Sequence, residues 1–395
     1  MSRLFTIPQL HFFFASVVIA ACLSTTLLAQ LNPPNPTLQE SYFVDSQDGS
    51  DSSRGIIDQP LKTLAKALSK LQSQTTIDAK IYLKPRSIPY TFNNISITGV
   101  EPSTITIQPY SSTTSSLEAP VVLVSGNTVF AHLNLSLNGI LIQNDILNPN
   151  GLISLTSVNA IISDSQVKMK PWPLNILDYS ALIESVSSTV VFQSSTLNIT
   201  YDSLCFSGTN SLLKFENTGI IYNSLIDLSN NNFELIGSQL EMNDIKLTTD
   251  YDGEPEPGRP ENPEAAIFSL YFADFYVTNS LYSVSRQFPL KFISVTNFGM
   301  AIVDNFTIVD STLSSSIFEL QTDSHAQVPN ANFSRITIEN STLASWNILH
   351  LKCSAIICFE LSGKIKFGAS DFTIKSNNQT VLTFRDEKFS IIQLY

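Results

Sequence analysis

Short runs of alternating apolar and polar residues dominate the chain. From Leu133 to Leu137 every second residue is apolar; Asn138-Gly139 interrupts, and Ile140-Leu141-Ile142 resumes. Thr104-Ile-Thr-Ile-Gln108, Phe306-Thr-Ile-Val309 and Arg335-Ile-Thr-Ile-Glu339 behave in the same way. Short alternating runs bounded by Asn, Gly, Ser or Asp predict half-buried strands joined by tight corners. Asn suits such corners because it tolerates the left-handed backbone and its amide can bond a neighbouring segment. One stretch keeps a different period. Leu61, Leu64, Ala65, Leu68 and Leu71 lie at the spacing of one helical stripe, with Lys62, Lys66 and Lys70 on the other side. Asp58 is the expected N-cap of this helix and Pro60 its first turn.

The strand-like segments share a corner motif. Asp164-Ser165-Gln166-Val167, Ser194-Ser195-Thr196-Leu197 and Gly237-Ser238-Gln239-Leu240 each place Ser between a small or polar residue and a polar–aliphatic pair. Asn279-Ser280-Leu281-Tyr282, Asp310-Ser311-Thr312-Leu313 and Asn340-Ser341-Thr342-Leu343 follow. The serines recur at about 30 residues, with two longer steps of about 42, a period that marks stacked repeats. The longer steps are read as coils carrying loops, one of them an insertion over about 244–266. A β-solenoid is therefore expected, a β-sandwich being its structural competitor. The open end of a solenoid exposes both core and strand edges, and one amphipathic helix laid across it would cover them. Residues 41–395 are read as one such domain, with 41–80 as the N-terminal cap.

The residues around that helix carry a resemblance. Tyr42-Phe-Val-Asp-Ser-Gln-Asp-Gly-Ser-Asp51, Gln59-Pro-Leu-Lys-Thr-Leu-Ala-Lys-Ala-Leu68 and Ile81-Tyr-Leu-Lys-Pro85 resemble the N-terminal cap of secreted right-handed parallel β-helix proteins, the pectin-lyase-like superfamily. The run from Val124 through Asn144 resembles one coil of that group. The resemblance implies an all-β, right-handed parallel β-helix with an N-terminal capping α-helix. For function it implies either a polysaccharide lyase or glycoside hydrolase, or a surface scaffold without catalysis; fold alone does not choose. The hydrolase branch's Asn-Thr-Asp, Asp-Asp, Gly-His-Gly and Arg-Ile-Lys segments are absent, Arg335-Ile336-Thr337 being the nearest approach. The lyase branch's Arg-x-Pro-x-x-Arg segment is absent as well.

Compartment follows from the first 40 residues. Arg3, the apolar run Phe12–Ala29 and the small residue before Gln30 read as a secretory signal peptide over 1–29; a membrane anchor and a lipoprotein box ending at Cys22 are the competing readings. Residues 30–40, containing Asn32-Pro-Pro-Asn-Pro36, read as a linker. No later segment is long and apolar enough to span a bilayer, so a secreted or cell-surface protein is expected. The chain carries 22 Lys and Arg against 34 Asp and Glu, a formal charge of −12. This excludes nucleic acid and anionic membranes as natural partners. Charged residues make up only 14% of the chain, so its polar faces are built mainly of Ser, Thr and Asn.

Candidate chemistry is sparse. Glycosidic hydrolysis uses two facing carboxyl groups, and the acids on strand-like segments are Asp164, Glu184, Glu216, Asp310 and Glu339; none shows a catalytic motif. His132, His325 and His350 are isolated and lack metal-ligand spacing. No Gly-x-Ser-x-Gly elbow is present. Asp250, Asp252, Glu254 and Glu256 form the one run with Ca²⁺-ligand chemistry, without the spacing of an EF-hand; an exposed acidic loop is the competing reading, and no other cofactor is expected. Asp45, Asp48 and Asp51 read as turn formers. Cys353 and Cys358 are candidates for a disulfide. As a strand their separation is about 16 Å at about 3.3 Å per residue, so they pair only if the chain turns there; free buried thiols are the alternative. Glycosylation sequons begin at Asn94, Asn134, Asn198, Asn305, Asn332, Asn340 and Asn378. The final run Phe389–Tyr395 reads as an uncovered strand, which admits end-to-end assembly. These features lead to a non-catalytic scaffold for glycan or protein partners, with a polysaccharide lyase or hydrolase and a structural surface segment as alternatives.

Overall fold

The computed structural model describes residues 39–395 except 75, 111–118, 149–150, 171–180, 200–203, 223–230, 250–265, 285–286, 289–290, 314–316, 323–329, 340, 344–348, 354–371, 376–383, 386–389 and 392–395. The proposed leader, the acidic run from Asp250 to Glu256, Asn340, Asn378 and Cys358 all lie outside the described residues. Among the described residues no helix is long and apolar enough to cross a membrane.

The chain winds as a parallel β-helix, and each coil visits three faces in a fixed order. One coil shows the scheme: Asn127–Ala131 on face one, Asn134–Asn138 on face two and Leu141–Asn144 on face three, before Leu152–Thr156 returns to face one. Face one is a sheet of ten parallel strands, from Ile95–Thr98 to Leu349–Cys353. Parallel crossovers of this kind are right-handed in nearly every case. In the second half, single long strands such as Leu212–Tyr222, Gln239–Thr249 and Met300–Val309 cover faces two and three together. The last of the Gln239–Thr249 residues occupy 244–249, so the expected insertion begins no earlier than 250.

Alternation within each strand sends one side chain in and the next out, as on Asp78–Leu83 and Val121–Val124. The inward residues are Ile, Leu and Val near the start and increasingly Phe from Phe192 onward. Phe233 and Phe268, in register on face one, stack with centroids 4.5 Å apart, and Phe215 from face two meets both edge-on at 5.8 Å. Among the described residues three core hydroxyls, on Thr128, Ser185 and Tyr282, are buried without a hydrogen-bond partner.

The corners repeat more strictly than the coils. From the strand Asn127–Ala131 to the strand Lys291–Thr296, each turn from face one to face two uses one residue of positive φ: His132, Ser157, Ser187, Asn210, Gly237, Phe272 and Asn297. The turn from face two to face three does the same at Gly139, Asp164, Ser194, Asn217, Asp244, Asn279, Asn305 and Arg335. The residue after the corner points inward. Where it is Ser, its hydroxyl accepts the backbone N–H of the coil before: Ser195 from Ser165 at 3.3 Å, Ser238 from Ser211 at 3.0 Å, Ser341 from Ser311 at 3.1 Å. The same hydroxyl donates to a carbonyl, as Ser195 does to Gln193 at 2.9 Å. The recurring sequence motif is thus a corner and not a coil. Its serines fall on three different corners, so the two longer steps arise largely from a change of corner. Among the described residues coil lengths differ: Ser188 to Ser211 is 23 residues, and Ile336 to Phe372 is 36.

At the N-terminus the strand Glu40–Val44 pairs with Asp78–Leu83, and helix α1 (Leu64–Leu71) packs on the strands of the first coil. Leu64, Ala67, Leu68 and Leu71 are buried in the common core. The helix starts later than its stripe implies: Thr63, not Asp58, is the N-cap, its hydroxyl accepting Lys66 N–H at 3.1 Å. Leu61 is held extended by bonds between its backbone and those of Phe43 and Asp45. Asp51 accepts from the Lys62 and Thr63 N–H groups and the Thr63 hydroxyl, fixing the helix entry. Asp45 is buried and paired with Lys84 at 3.0 Å and Arg86 at 2.7 Å. Burial alone would raise its pKa; the Arg86 guanidinium, the Asp48 N–H, Lys84 and the Gln47 N–H outweigh that and hold the carboxyl well below the usual range. The aspartates read as turn formers therefore tie the first turn of chain to the helix and to the second strand.

Two predictions follow from this packing. Ser195→Ala strips partners from buried backbone groups and should cost about 1–3 kcal/mol, whereas Tyr282→Phe removes an unsatisfied hydroxyl and should gain about 1 kcal/mol. Urea unfolding of both variants checks the opposite signs; a destabilised Tyr282→Phe would show that the hydroxyl has a partner. Because the folded pKa of Asp45 lies below its unfolded value of 3.8, its stabilisation is present above about pH 4 and is lost as pH falls further. Asp45→Asn should cost about 2 kcal/mol at pH 7, and the gap to the parent should close on acidification. A gap unchanged at pH 3 would contradict the pairing.

Candidate functional site

Face one combines a hydrogen-bonding column with an exposed aromatic corner. Its strands share a local pattern: Phe206-Ser-Gly-Thr, Phe233-Glu-Leu-Ile, Phe268-Ser-Leu-Tyr, Ile293-Ser-Val-Thr and Phe318-Glu-Leu-Gln. The first and third residues of each pattern fill the core, so the second and fourth face outward. Parallel registration stacks the second positions into one column: Ser154, Glu184, Ser207, Glu234, Ser269, Ser294 and Glu319. Adjacent rungs lie about 4.8 Å apart, which puts the Cα atoms of Glu184 and Glu234, two rungs apart, at about 10 Å. Glu184 is exposed and Glu234 half-buried, its carboxylate accepting from the Asn231 amide at 3.2 Å.

The fourth positions form a second column, in which Ile236 is in register with Tyr271. Ile236 is 51% exposed, Tyr271 45% and Phe272 55%. Tyr271 and Phe272 meet edge to face with centroids 4.4 Å apart. Phe272 occupies the corner position that other coils fill with His, Ser, Asn or Gly, and does so at φ 51°. A bulky side chain in the left-handed region costs roughly 1–2 kcal/mol. The corner is nevertheless held, Phe272 N–H donating to Thr296 O at 2.9 Å. An exposed, strained aromatic contributes nothing to the core, which makes it a candidate for ligand contact.

Towards the C-terminal coils the column changes character. Lys291 and Glu319 form a buried ion pair at 2.9 Å, and the Ser294 hydroxyl donates to the same carboxylate oxygen at 3.2 Å. A buried pair of this kind holds geometry more than it adds stability.

Face two carries a separate cluster. Lys214 lies 2.9 Å from Glu216 and 3.6 Å from Glu241, and Gln239 donates to Glu241 at 2.6 Å. The Glu216 hydrogen bond, against a smaller opposing effect of burial, raises the Lys214 pKa. Burial raises that of Tyr276, helped by Asp274 and Glu241. The cluster forms an ion-pair ladder along face two. Further along, Arg335 pairs with Asp304, whose pKa is lowered to about 2, chiefly by that contact.

The acids named from sequence are dispersed by the fold. Glu184 joins the face-one column, Glu216 the face-two ladder, Asp164 and Asp310 sit at left-handed corners, and Glu339 ends the strand Asn330–Glu339. His132 is an exposed corner residue, while His325 lies outside the described residues. Among the described residues no group of three or more His, Cys, Asp or Glu side chains could hold a metal ion. Cys205 is buried and free, and burial pushes its thiol up to about 12. Cys353 ends the strand Leu349–Cys353. Of the sequon asparagines, Asn94, Asn134, Asn305 and Asn332 are exposed and Asn198 is half-buried. Sequence reasoning missed Glu234, the Lys291–Glu319 pair and the Tyr271–Phe272 corner. The signal that could have found the column is the Ser or Glu that follows the first apolar residue in each face-one strand.

No family model matches the chain, and no curated protein matches it. Solved structures with a similar chain path include a GH136 lacto-N-biosidase from Eubacterium ramulus, at 10% identity over 80% of this chain and 67% of that one, with a TM-score of 0.40. A rhamnogalacturonan lyase is similar at 11% identity over 86% and 87%, TM-score 0.39. A pectate lyase is similar at 12% identity over 80% and 79%, TM-score 0.32.

The corner geometry predicts a trade between stability and binding. Phe272→Asn places a residue suited to positive φ at the corner and should stabilise the protein by about 1 kcal/mol in thermal or urea unfolding. A loss of stability would mean that the aromatic ring packs rather than waits for a ligand.

Proposed function

We propose that the protein is a glycan-binding β-helix, acting outside the cytoplasm, that lays an extended polysaccharide along face one. The observation that carries this reading is the in-register column of Ser and Glu beside the exposed Tyr271–Phe272 corner. A sugar ring offers a C–H surface that packs on an aromatic face and a rim of hydroxyls that both donate and accept. Serine hydroxyls answer both roles, and carboxylates accept. A solenoid repeats these groups at a constant rise, as an extended polymer repeats its own. The leader-like residues 1–29 support secretion or surface display, and the exposed Asn94, Asn134, Asn305 and Asn332 offer acceptor sites to a eukaryotic secretory pathway.

A second reading, glycoside hydrolysis, is favoured by one observation: Glu184 and Glu234 stand two rungs apart on the same column. Their Cα atoms stand about 10 Å apart, within reach of the about 6.5–9.5 Å between the carboxyl groups of inverting enzymes once the side chains are oriented. Binding requires only that the side chains be displayed, and it is the simpler reading.

Affinity electrophoresis of residues 30–395 through a panel of polysaccharide gels, with reducing ends and unsaturated products followed in parallel, tests both. Retardation without new ends, weakened several-fold by Tyr271→Ala, is the expected result. New reducing ends that vanish in Glu234→Gln would replace the binding reading with the hydrolase. No retardation on any gel would remove both.

A further inference from the structure

We infer that face one selects an uncharged glycan over a polyuronate. The inference rests on the glycan-binding reading of that face and adds the chemical class of the ligand. Three glutamates stand in the column, and only Glu319 is neutralised there, by buried Lys291. Glu184 and Glu234 meet no cationic side chain among the described residues; the partner of Glu234 is the neutral Asn231 amide. Both flank Ser207, one rung away on either side, at the approach to the Tyr271–Phe272 corner.

A hydroxyl-rich neutral chain satisfies this arrangement, because each sugar hydroxyl can donate to a carboxylate that only accepts. A uronate places a second acceptor-only carboxylate against the first, with no proton to share. Repulsion between them is not relieved by the rest of the molecule, whose formal charge is −12. The effect is electrostatic and must weaken as salt screens it. One route past the barrier exists, a divalent cation bridging ligand and protein carboxylates, so the test is run with and without chelator.

Retardation in neutral glycan gels is compared with that in polygalacturonate, at low and high salt, with EGTA or with added Ca²⁺. The parent protein should be retarded by at least one neutral glycan, and much less by polygalacturonate at low salt with EGTA, the gap narrowing at high salt. Glu184→Gln/Glu234→Gln should gain affinity for polygalacturonate on the order of tenfold at low salt, an advantage that shrinks at high salt. Its affinity for neutral glycan should fall several-fold at the same time, because the same carboxylates accept from sugar hydroxyls, each single variant lying between. Parent binding to polygalacturonate as tight as to neutral glycan, or appearing only with Ca²⁺ and lost in the double variant, would overturn the inference while leaving the glycan-binding reading intact. Absence of binding to every gel would instead remove the underlying reading.

Discussion

Everything in this molecule depends on coils stacking in register. A parallel strand satisfies its backbone only through neighbours on both sides, so each coil must trace the path of the one before it. The one-residue, left-handed corners enforce that path at two of the three edges. Behind each corner a buried serine or threonine often completes the count. Its hydroxyl takes the N–H that the turn would leave unpaired and returns a proton to a carbonyl. From Asn134 onward length varies mainly in the connection from face three to face one, where coils differ by about a dozen residues.

Registration also converts local alternation into long-range chemistry. A residue that is merely outward on one strand becomes a rung in a column that crosses the whole face. Face two uses this for charge, interleaving Lys214 with Glu216 and Glu241 and ending at Asp304 and Arg335. Face one uses it for hydroxyls and carboxylates. The two faces share the corner at which Phe272 stands, so the aromatic side chain is displayed at a ridge and not within a pocket.

The strain at Phe272 and the orphaned hydroxyls in the core are different in kind. Tyr282 is surrounded by Phe292 and Phe306, and its hydroxyl is a local cost within a well-packed interior. Phe272 is exposed, and the corner would be satisfied by any of the small or polar residues used elsewhere. A cost kept in the core can be offset by the packing around it; Phe272 has its edge-to-face contact with Tyr271 and leaves 55% of its surface exposed, which makes it a candidate for ligand contact.

The local pattern alone determined the strands, the corners and the presence of one amphipathic helix, because period-two alternation and corner-forming residues act within a few positions of one another. It also placed Glu184 and Glu216 on outward strand positions. What it could not contain was registration. Whether Ser165 and Ser238 occupy the same corner depends on coil length, which is 23 residues at one place and 36 at another and is settled only when backbones pair. Leu61 illustrates the same limit: its spacing fits the helix, but bonds to Phe43 and Asp45 hold it extended. Glu184, Glu234 and Glu319 become one column, and Ile236 comes into register with Tyr271, only through contacts between residues far apart in the chain. Tertiary structure decided the site because a column of side chains exists only between coils, never within one.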